Sequence, residues 1–234
     1  GKEDDAIYAV SRSGLNKTLM NHAEKNSNTT IHFNEKCVDV DLEEAVIKVE
    51  NQKTGAVSDV KSDLVFGADG AFSQIRAVMQ MTDRFNYAQT YIEHGYKELT
   101  IPPAANGSWS MEKNALHIWP RKHYMLIALP NADGSFTCTL FLPRCQVFPP
   151  DTTDSSGADS DVISFDSIKT KSDLLKFFKN VFPDAADLMP ALAETYFANP
   201  TSSLCYIRCF PWTYKDKVAM IGDAAHAIVP FYGQ

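Results

Sequence analysis

Two apolar runs in this chain end in the same way, and those endings restrict the fold more than any other feature. Val218-Ala219-Met220-Ile221 is a compact strand-like run halted by Gly222-Asp223-Ala224-Ala225-His226. Leu64-Val65-Phe66 runs into Gly67-Ala68-Asp69-Gly70, after which Ser73 to Met81 reads as a helix opening. A buried strand, a glycine-acid turn and a helix start together suit a ligand site. Glycine lets the backbone approach closely, the aspartate accepts hydrogen bonds from ligand hydroxyls, and small residues let the helix start lie against the ligand. Taken singly, each turn reads as an ordinary Asp-Gly corner, with Ser73 capping its helix and Arg76 a solvated charge. Two such turns in one chain shift the reading toward a cofactor.

The remaining segments alternate between helical and strand periods. Ala6 to Val10 is a short strand candidate feeding a helix capped by Ser11 or Ser13, with Leu15, Leu19, Met20 and Ala23 at helical spacing. Thr30 to Phe33, Cys37 to Val40 and Ala45 to Val49 alternate as strands, the last two pairing across the acidic turn Asp41 to Glu44, and Lys61 to Gly67 reads as the next strand. From about Tyr87 the pattern becomes β-rich. Tyr91 to Ile101, Ala115 to Trp119, Tyr124 to Leu129 and Ser135 to Leu142 are separated by Pro102-Pro103, Asn106-Gly107 and Asp133-Gly134. Phe148 to Ser167, rich in Pro, Ser, Asp and Thr, reads as an exposed loop. Ser172 is the expected cap of a helix whose buried face is Leu174, Leu175, Phe177, Phe178 and Val181 and which Pro183 ends. A second short helix is expected near Asp187 to Thr195, and Ser203 to Phe210 alternates again. The expected class is α/β, with a largely antiparallel β-rich insertion.

Composition excludes several functions. A formal net charge of −7 with scattered Lys and Arg leaves no basic surface for nucleic acid. No run approaches the roughly 18 apolar residues of a membrane helix, and Gly1 to Asp5 do not open a signal sequence. The five cysteines are odd in number and form no C-x-x-C pair, which favours a reduced compartment, and Cys138, Cys205 and Cys209 lie in apolar strand-like stretches as small hydrophobes. His94, His117 and His123 lack ligand spacing, so no metal is expected. With no initiator Met, and an end directly after a turn, both ends read as cut.

Gly67-Ala68-Asp69-Gly70 with Ser73 and Arg76, followed much later by Gly222-Asp223-Ala224-Ala225-His226, resembles the paired signatures of the class A FAD-dependent aromatic hydroxylases in content, order and separation. Between them lie Tyr91-Ile92-Glu93-His94-Gly95-Tyr96-Lys97-Glu98-Leu99-Thr100-Ile101-Pro102-Pro103, Leu116-His117-Ile118-Trp119-Pro120-Arg121 and Ser135-Phe136-Thr137-Cys138-Thr139-Leu140-Phe141. These, with His226-Ala227-Ile228-Val229-Pro230-Phe231-Tyr232-Gly233-Gln234, are similar to the kynurenine-hydroxylating branch of that family. The likeness weakens only in Phe148 to Ser167.

The resemblance implies a partial FAD-binding Rossmann-like domain of the para-hydroxybenzoate-hydroxylase type over 1–85 and 213–234, with an antiparallel substrate domain, 86–212, inserted in it. It implies FAD as cofactor, NADPH and O2 as cosubstrates, and L-kynurenine as the small-molecule substrate. One oxygen atom would go to the ring carbon beside the amino group, a step of tryptophan catabolism that leads toward pyridine nucleotides. By the same resemblance Asp223, after Gly222, meets the flavin ribityl chain; Arg12 lies against FAD; and the backbone of Cys37 meets the adenine end. Asp69 and Gly70 form the turn near the flavin and the passing nicotinamide nucleotide, with Arg76 supporting it. Pro230, Phe231 and Tyr232 form one wall of the substrate pocket and Phe141 the opposite wall.

Ordinary roles stand beside these: Arg12 pairing with a surface carboxylate, Cys37 as a strand residue, Phe141 as core packing. His226 packs or caps at a helix start, and no side chain is assigned as catalytic because the cofactor carries the chemistry. The G-x-G-x-x-G loop is expected upstream of Gly1, so this chain alone is not expected to turn over. The resemblance places a bacterial member in the cytoplasm and a eukaryotic one on the mitochondrial outer membrane. Two other readings compete: another flavoprotein aromatic hydroxylase or epoxidase on the same scaffold, and a non-catalytic α/β binding module whose Asp-Gly turns are only structural.

Overall fold

The computed structural model describes Val10, residues 12–145 and residues 162–229. The chain opens with α1 (Arg12–Glu24), β1 (Glu35–Asp41), β2 (Val46–Asn51), β3 (Val57–Lys61), β4 (Val65–Gly67) and α2 (Gln74–Met79). There follow β5 (Asn86–Ile101), β6 (His117–Arg121), β7 (Tyr124–Pro130) and β8 (Phe136–Pro143). After them come α3 (Lys171–Val181), α4 (Pro183–Ala186), α5 (Leu192–Ala198), β9 (Ser202–Phe210), β10 (Thr213–Tyr214), β11 (Val218–Met220) and α6 (Asp223–His226). The expected strand Ala6 to Val10, but for Val10, and the cap Ser11 lie outside the described residues, as do 148–161 of the expected loop. The chain divides into two compact units, one taking in Ile92–Ser203 together with α1 up to Ala23, the other Glu24–Tyr91 and the described chain from Leu204.

In the second unit β1, β2 and β3 form an antiparallel meander. Asp41 sets the first turn, its Oδ1 accepting from the amides of Glu43 and Glu44 at 2.9 and 3.0 Å. Thr30 to Phe33, expected as a strand, joins no sheet; the ladder begins at Glu35, after Asn34 at φ 63°. The single strand expected over Lys61 to Gly67 is two strands in different sheets. The amide of Ser62 bonds to Ala45 O at 3.1 Å, closing the meander, and that of Val65 turns to Lys217 O at 2.8 Å. A strand that changes partners must break between them, because both ladders cannot be served by one straight backbone. Val65, Val218 and Met220 face a core shared with Val40, Ala45, Ile75 and Met79.

The first unit rests on the neighbouring strands β6-β7-β8-β5, with β6–β7, β7–β8 and β8–β5 antiparallel. Alternation divides their faces. Phe136, Cys138, Leu140 and Leu142 of β8 join Leu99, Ile101, Leu126 and Ala128 against Leu174, Phe177, Phe178 and Phe182. Lys97 lies in this same layer, buried, its Nζ donating to Tyr196 O at 2.9 Å and Asn199 O at 2.7 Å at the C-terminal end of α5. Burial alone lowers the pKa of its ammonium.

Helix α3 starts at Thr170, not Ser172. Thr170 Oγ1 accepts from the amide of Asp173 at 3.2 Å while Asp173 Oδ2 accepts from the amide of Thr170 at 2.9 Å. A start at Ser172 would put Leu175 where that reciprocal acceptor must stand. The buried stripe is Leu174, Phe177 and Phe178, and Leu175, expected to be buried, falls off it and is exposed. The short helix expected near Asp187 to Thr195 is replaced by α4 and α5, because Pro183 opens a helical turn and Pro190 interrupts the next. The described end of the expected exposed loop is exposed at Asp166 and Ser167 but not throughout. Ser164 and Phe165 are buried, and the amide of Phe165 bonds to Pro143 O at 2.9 Å.

Candidate cofactor site

Strands β4 and β11 are neighbours and parallel, in the register Val65↔Val218, Ala219↔Phe66 and Met220↔Gly67. Both glycine-acid turns therefore leave the sheet at the same, C-terminal end, where open α/β sheets bind ligands. The amide of Ile221 bonds to Gly67 O at 2.9 Å, which carries the register into the turns. Gly67 is needed for close approach: a Cβ there would lie 3.0 Å from the Ile75 side chain, so α2 packs directly onto β4.

The first turn is self-braced. Asp69 Oδ2 accepts from the amides of Gln74 and Ile75 at 2.7 and 3.2 Å, and Ser73 Oγ from that of Arg76 at 2.9 Å, so both side chains satisfy the start of α2. Gly70 holds φ 80° with open space where a Cβ would stand. The second turn is different. Gly222 holds φ 59° and ψ −141°, a backbone that only glycine adopts without strain, and its Cβ position is also open. Asp223 follows it, exposed, with no hydrogen bond or ion pair among the described residues. A free carboxylate next to Gly222, on the sheet end it shares with Gly70, with open space where both missing Cβ atoms would stand, fits a ligand rich in hydroxyls, such as a ribityl or ribose chain.

Other groups fasten this turn to the unit. Arg76, which the resemblance implies supports the first turn and which the ordinary reading made a solvated charge, is buried and reaches both turns: Nη1 donates to Ala224 O at 2.8 Å and Nη2 to Ala71 O at 2.5 Å. Cys209 Sγ donates to Ala225 O at 3.0 Å, and the amide of Ile207 to Ala227 O at 2.9 Å. Sequence reasoning missed the Cys209 and Ala224 contacts, since both join segments far apart in the chain. His226 packs on Trp212, with ring centres 5.2 Å apart.

Cys37 belongs to the same unit, on β1, its thiol donating to Asp39 O at 3.5 Å. Burial first, and then the Asp69 carboxylate, push the thiol pKa up. So Cys37, Asp69, Gly70, Gly222 and Asp223 share one unit. Arg12, exposed on α1, and Phe141 belong to the other, while Pro230, Phe231 and Tyr232 lie outside the described residues. Phe141 is buried but points away from the helix-covered core. It stands opposite Tyr96, ring centres 6.5 Å apart, and opposite Met125 on the other side.

A family model described as an FAD binding domain matches residues 3–129, more than half of the chain. The chain belongs to that family. Curated relatives extend the likeness to the whole length of the chain. It is 47% identical over 234 residues to a kynurenine 3-monooxygenase of Flavobacterium johnsoniae, covering 100% of the chain and 49% of the relative. It is 46% identical over 228 residues to a kynurenine 3-monooxygenase of Dictyostelium discoideum, covering 97% of the chain and 45% of that protein. The chain thus spans about half the length of the curated relatives it matches. Among solved structures, 2-methyl-3-hydroxypyridine-5-carboxylic acid oxygenase superposes with a TM-score of 0.66 at 23% identity, over 94% of this chain and 52% of that one. That likeness establishes the fold, an α/β architecture with antiparallel sheets. No helix among the described residues is long and apolar enough to cross a membrane.

Proposed function

We propose that this chain is part of an FAD-dependent, NADPH-consuming monooxygenase that converts L-kynurenine to 3-hydroxykynurenine. The observation that carries the proposal is the whole-chain identity of 47% to a kynurenine 3-monooxygenase, and the alignment of both glycine-acid turns on one sheet end supports it. Residues 1–85 and 213–234 then serve the cofactor and 86–212 the substrate.

Asp223 accepts hydrogen bonds from the flavin side chain, and Gly222 keeps the backbone low enough for that chain to pass. Asp69 and Gly70 form the facing rim, with the Cys37 backbone and Arg12 as further contacts. Bound FAD supplies the redox chemistry, taking electrons from NADPH and activating O2. The protein orients an aromatic substrate and excludes water. Phe141 and the loop Pro230, Phe231 and Tyr232 provide aromatic walls, and the face shared by Phe141, Tyr96 and Met125 extends the first of these. In a bacterium such an enzyme is cytoplasmic; in a eukaryote it sits on the mitochondrial outer membrane.

The test uses the full-length protein. It should purify yellow with a flavin absorbance band, and with NADPH and O2 it should convert kynurenine but not hydroxybenzoates. A colourless protein would leave a binding module, and hydroxybenzoate turnover would leave a different hydroxylase.

A further inference from the structure

Two turns that touch within the unit holding Ile92–Ser203 carry almost the same sequence, Ala105-Asn106-Gly107-Ser108 and Ala132-Asp133-Gly134-Ser135. They also share one geometry. Asn106 Oδ1 accepts from the amide and the hydroxyl of Ser108 at 3.0 and 2.6 Å, and Asp133 Oδ1 accepts from the same groups of Ser135 at 3.0 and 2.6 Å. Each turn is closed by a main-chain bond of 2.8 Å, from Ala104 N to Ser108 O and from Asn131 N to Ser135 O, and the central glycines hold φ 77° and 87°. The turns are seated on each other, since a Cβ on Gly134 would stand 2.7 Å from Gly107 O. Their centres differ by one side-chain atom, an amide nitrogen at position 106 where position 133 has a carboxylate oxygen.

That nitrogen can leave, which makes asparagine a thermolabile residue. Asn106 is the one asparagine of the sequence followed by glycine, it is exposed, and its Nδ2 makes no hydrogen bond among the described residues. Gly107 has no side chain to shield its own nitrogen, and its Cβ position is open space. The two Ser108 donors already point at the oxygen that would gather negative charge if this nitrogen attacked Asn106 Cγ. The bond from the Gly107 amide to Ala104 O, 2.8 Å, is what such an attack must break. Asn51 also accepts on Oδ1, from Lys53 and Thr54, but Glu35 Oε1 holds its Nδ2 at 2.6 Å and Gln52 follows it. Hydrogen bonds from Ser135 hold the Asp133 carboxyl below its ordinary pKa, and an ionised carboxylate resists the same attack.

We propose that Asn106 is a site of spontaneous deamidation, with water as co-reactant, and that the turn around it accepts the aspartate product. The Gly107 nitrogen bonds to Asn106 Cγ, the Cγ–Nδ2 bond breaks, and the Gly107 proton departs with that nitrogen as ammonia. Water then opens the cyclic imide. Opening at Cγ leaves aspartate on an unaltered backbone; opening at the main-chain carbonyl leaves isoaspartate, whose backbone is longer by a methylene. The Asp133 turn is a template for the first product, with the same carboxylate oxygen facing the same serine donors. The second product would shift Gly107 O from its seat on Gly134. The turn therefore gains a negative charge and keeps its form.

The full-length protein, incubated in warm, mildly alkaline buffer and followed by peptide mass spectrometry, tests this. Position 106 should convert at least tenfold faster than Asn51, and Ser108→Ala, which removes one of the two donors, should slow that conversion at least threefold. The ratio of aspartate to isoaspartate should be at least twice that formed by the protein in urea. Asn106→Asp should leave hydrogen exchange at the Ser108 amide within twofold of the parent. Conversion no faster than at Asn51 overturns the site, and an unchanged rate in Ser108→Ala overturns activation by the turn. A product ratio equal to that in urea, or faster exchange in Asn106→Asp, overturns the claim that the turn accepts its product.

Discussion

Asp223 and Asp69 are the same residue type in similar turns, yet their surroundings differ. Asp69 spends one oxygen on the amides of α2, whereas Asp223 keeps its carboxylate free beside a glycine that no other residue can replace without strain. Ligand binding should therefore depend on Asp223 and local folding on Asp69. Asp223→Asn in the full-length protein should raise the FAD dissociation constant roughly 10- to 100-fold, the worth of a charge-assisted hydrogen bond of about 1.5–3 kcal/mol, with little change in melting temperature. An unchanged flavin titration would remove Asp223 from the site. The cysteines offer a second residue-scale prediction. Burial pushes the Cys138 thiol up to about 12 from an ordinary 9.0, while Cys145 is exposed. Maleimide at neutral pH should label Cys145 first and Cys138 only on unfolding. Because the folded state keeps the Cys138 proton while an unfolded chain loses it, native stability from this group is full below pH 9.0 and falls as pH rises toward about 12. A denaturation midpoint that rises across that range in the parent but not in Cys138→Ala would contradict this sign.

Individual elements make their own predictions. Thr170→Ala removes half of the capping box of α3 and should cost about 1 kcal/mol, read as a lower urea midpoint. Phe177→Ala opens a cavity where Tyr124, Phe178 and Phe182 each meet the Phe177 ring edge to face, ring centres 5.3 to 5.8 Å away, and should cost about 3–5 kcal/mol. Most elements were legible because their signals are local. Alternation marked β5 to β8, the acidic turn marked the β1–β2 hairpin, and Ser73 marked the start of α2. What stayed hidden depended on partners distant in sequence. Strand β3 has every side chain exposed and alternates weakly, and the break at Ser62 is visible only once Val65 is seen to pair with Lys217. The cap of α3 was misplaced by two residues although the reciprocal Thr-x-x-Asp spacing was present in the sequence. The site shows the same limit. Both turns were readable as turns, but their sharing of one sheet end and the Arg76 bridge rest on tertiary pairing that no spacing reports.

At the scale of the whole molecule, the parallel pair is covered on one side only among the described residues. Val65, Val218 and Met220 enter the core, while Leu64, Phe66 and Ile221 on the other side are 45%, 60% and 47% exposed. Parallel sheets are ordinarily covered on both faces. The 234-residue polypeptide by itself should therefore bind the dye ANS more strongly than the full-length protein, and it should not hydroxylate kynurenine; turnover by it would contradict the division of function proposed above. The same pairing bears on how the protein acquires its shape. Val65 meets Val218 only after nearly all the intervening chain has been gathered in, and the entropy of that closure must be met before any contact repays it. In refolding, the antiparallel hairpins should gain protection early and the amides of Val65 and Ile221 last, so that flavin capture reports the completion of folding, not its beginning.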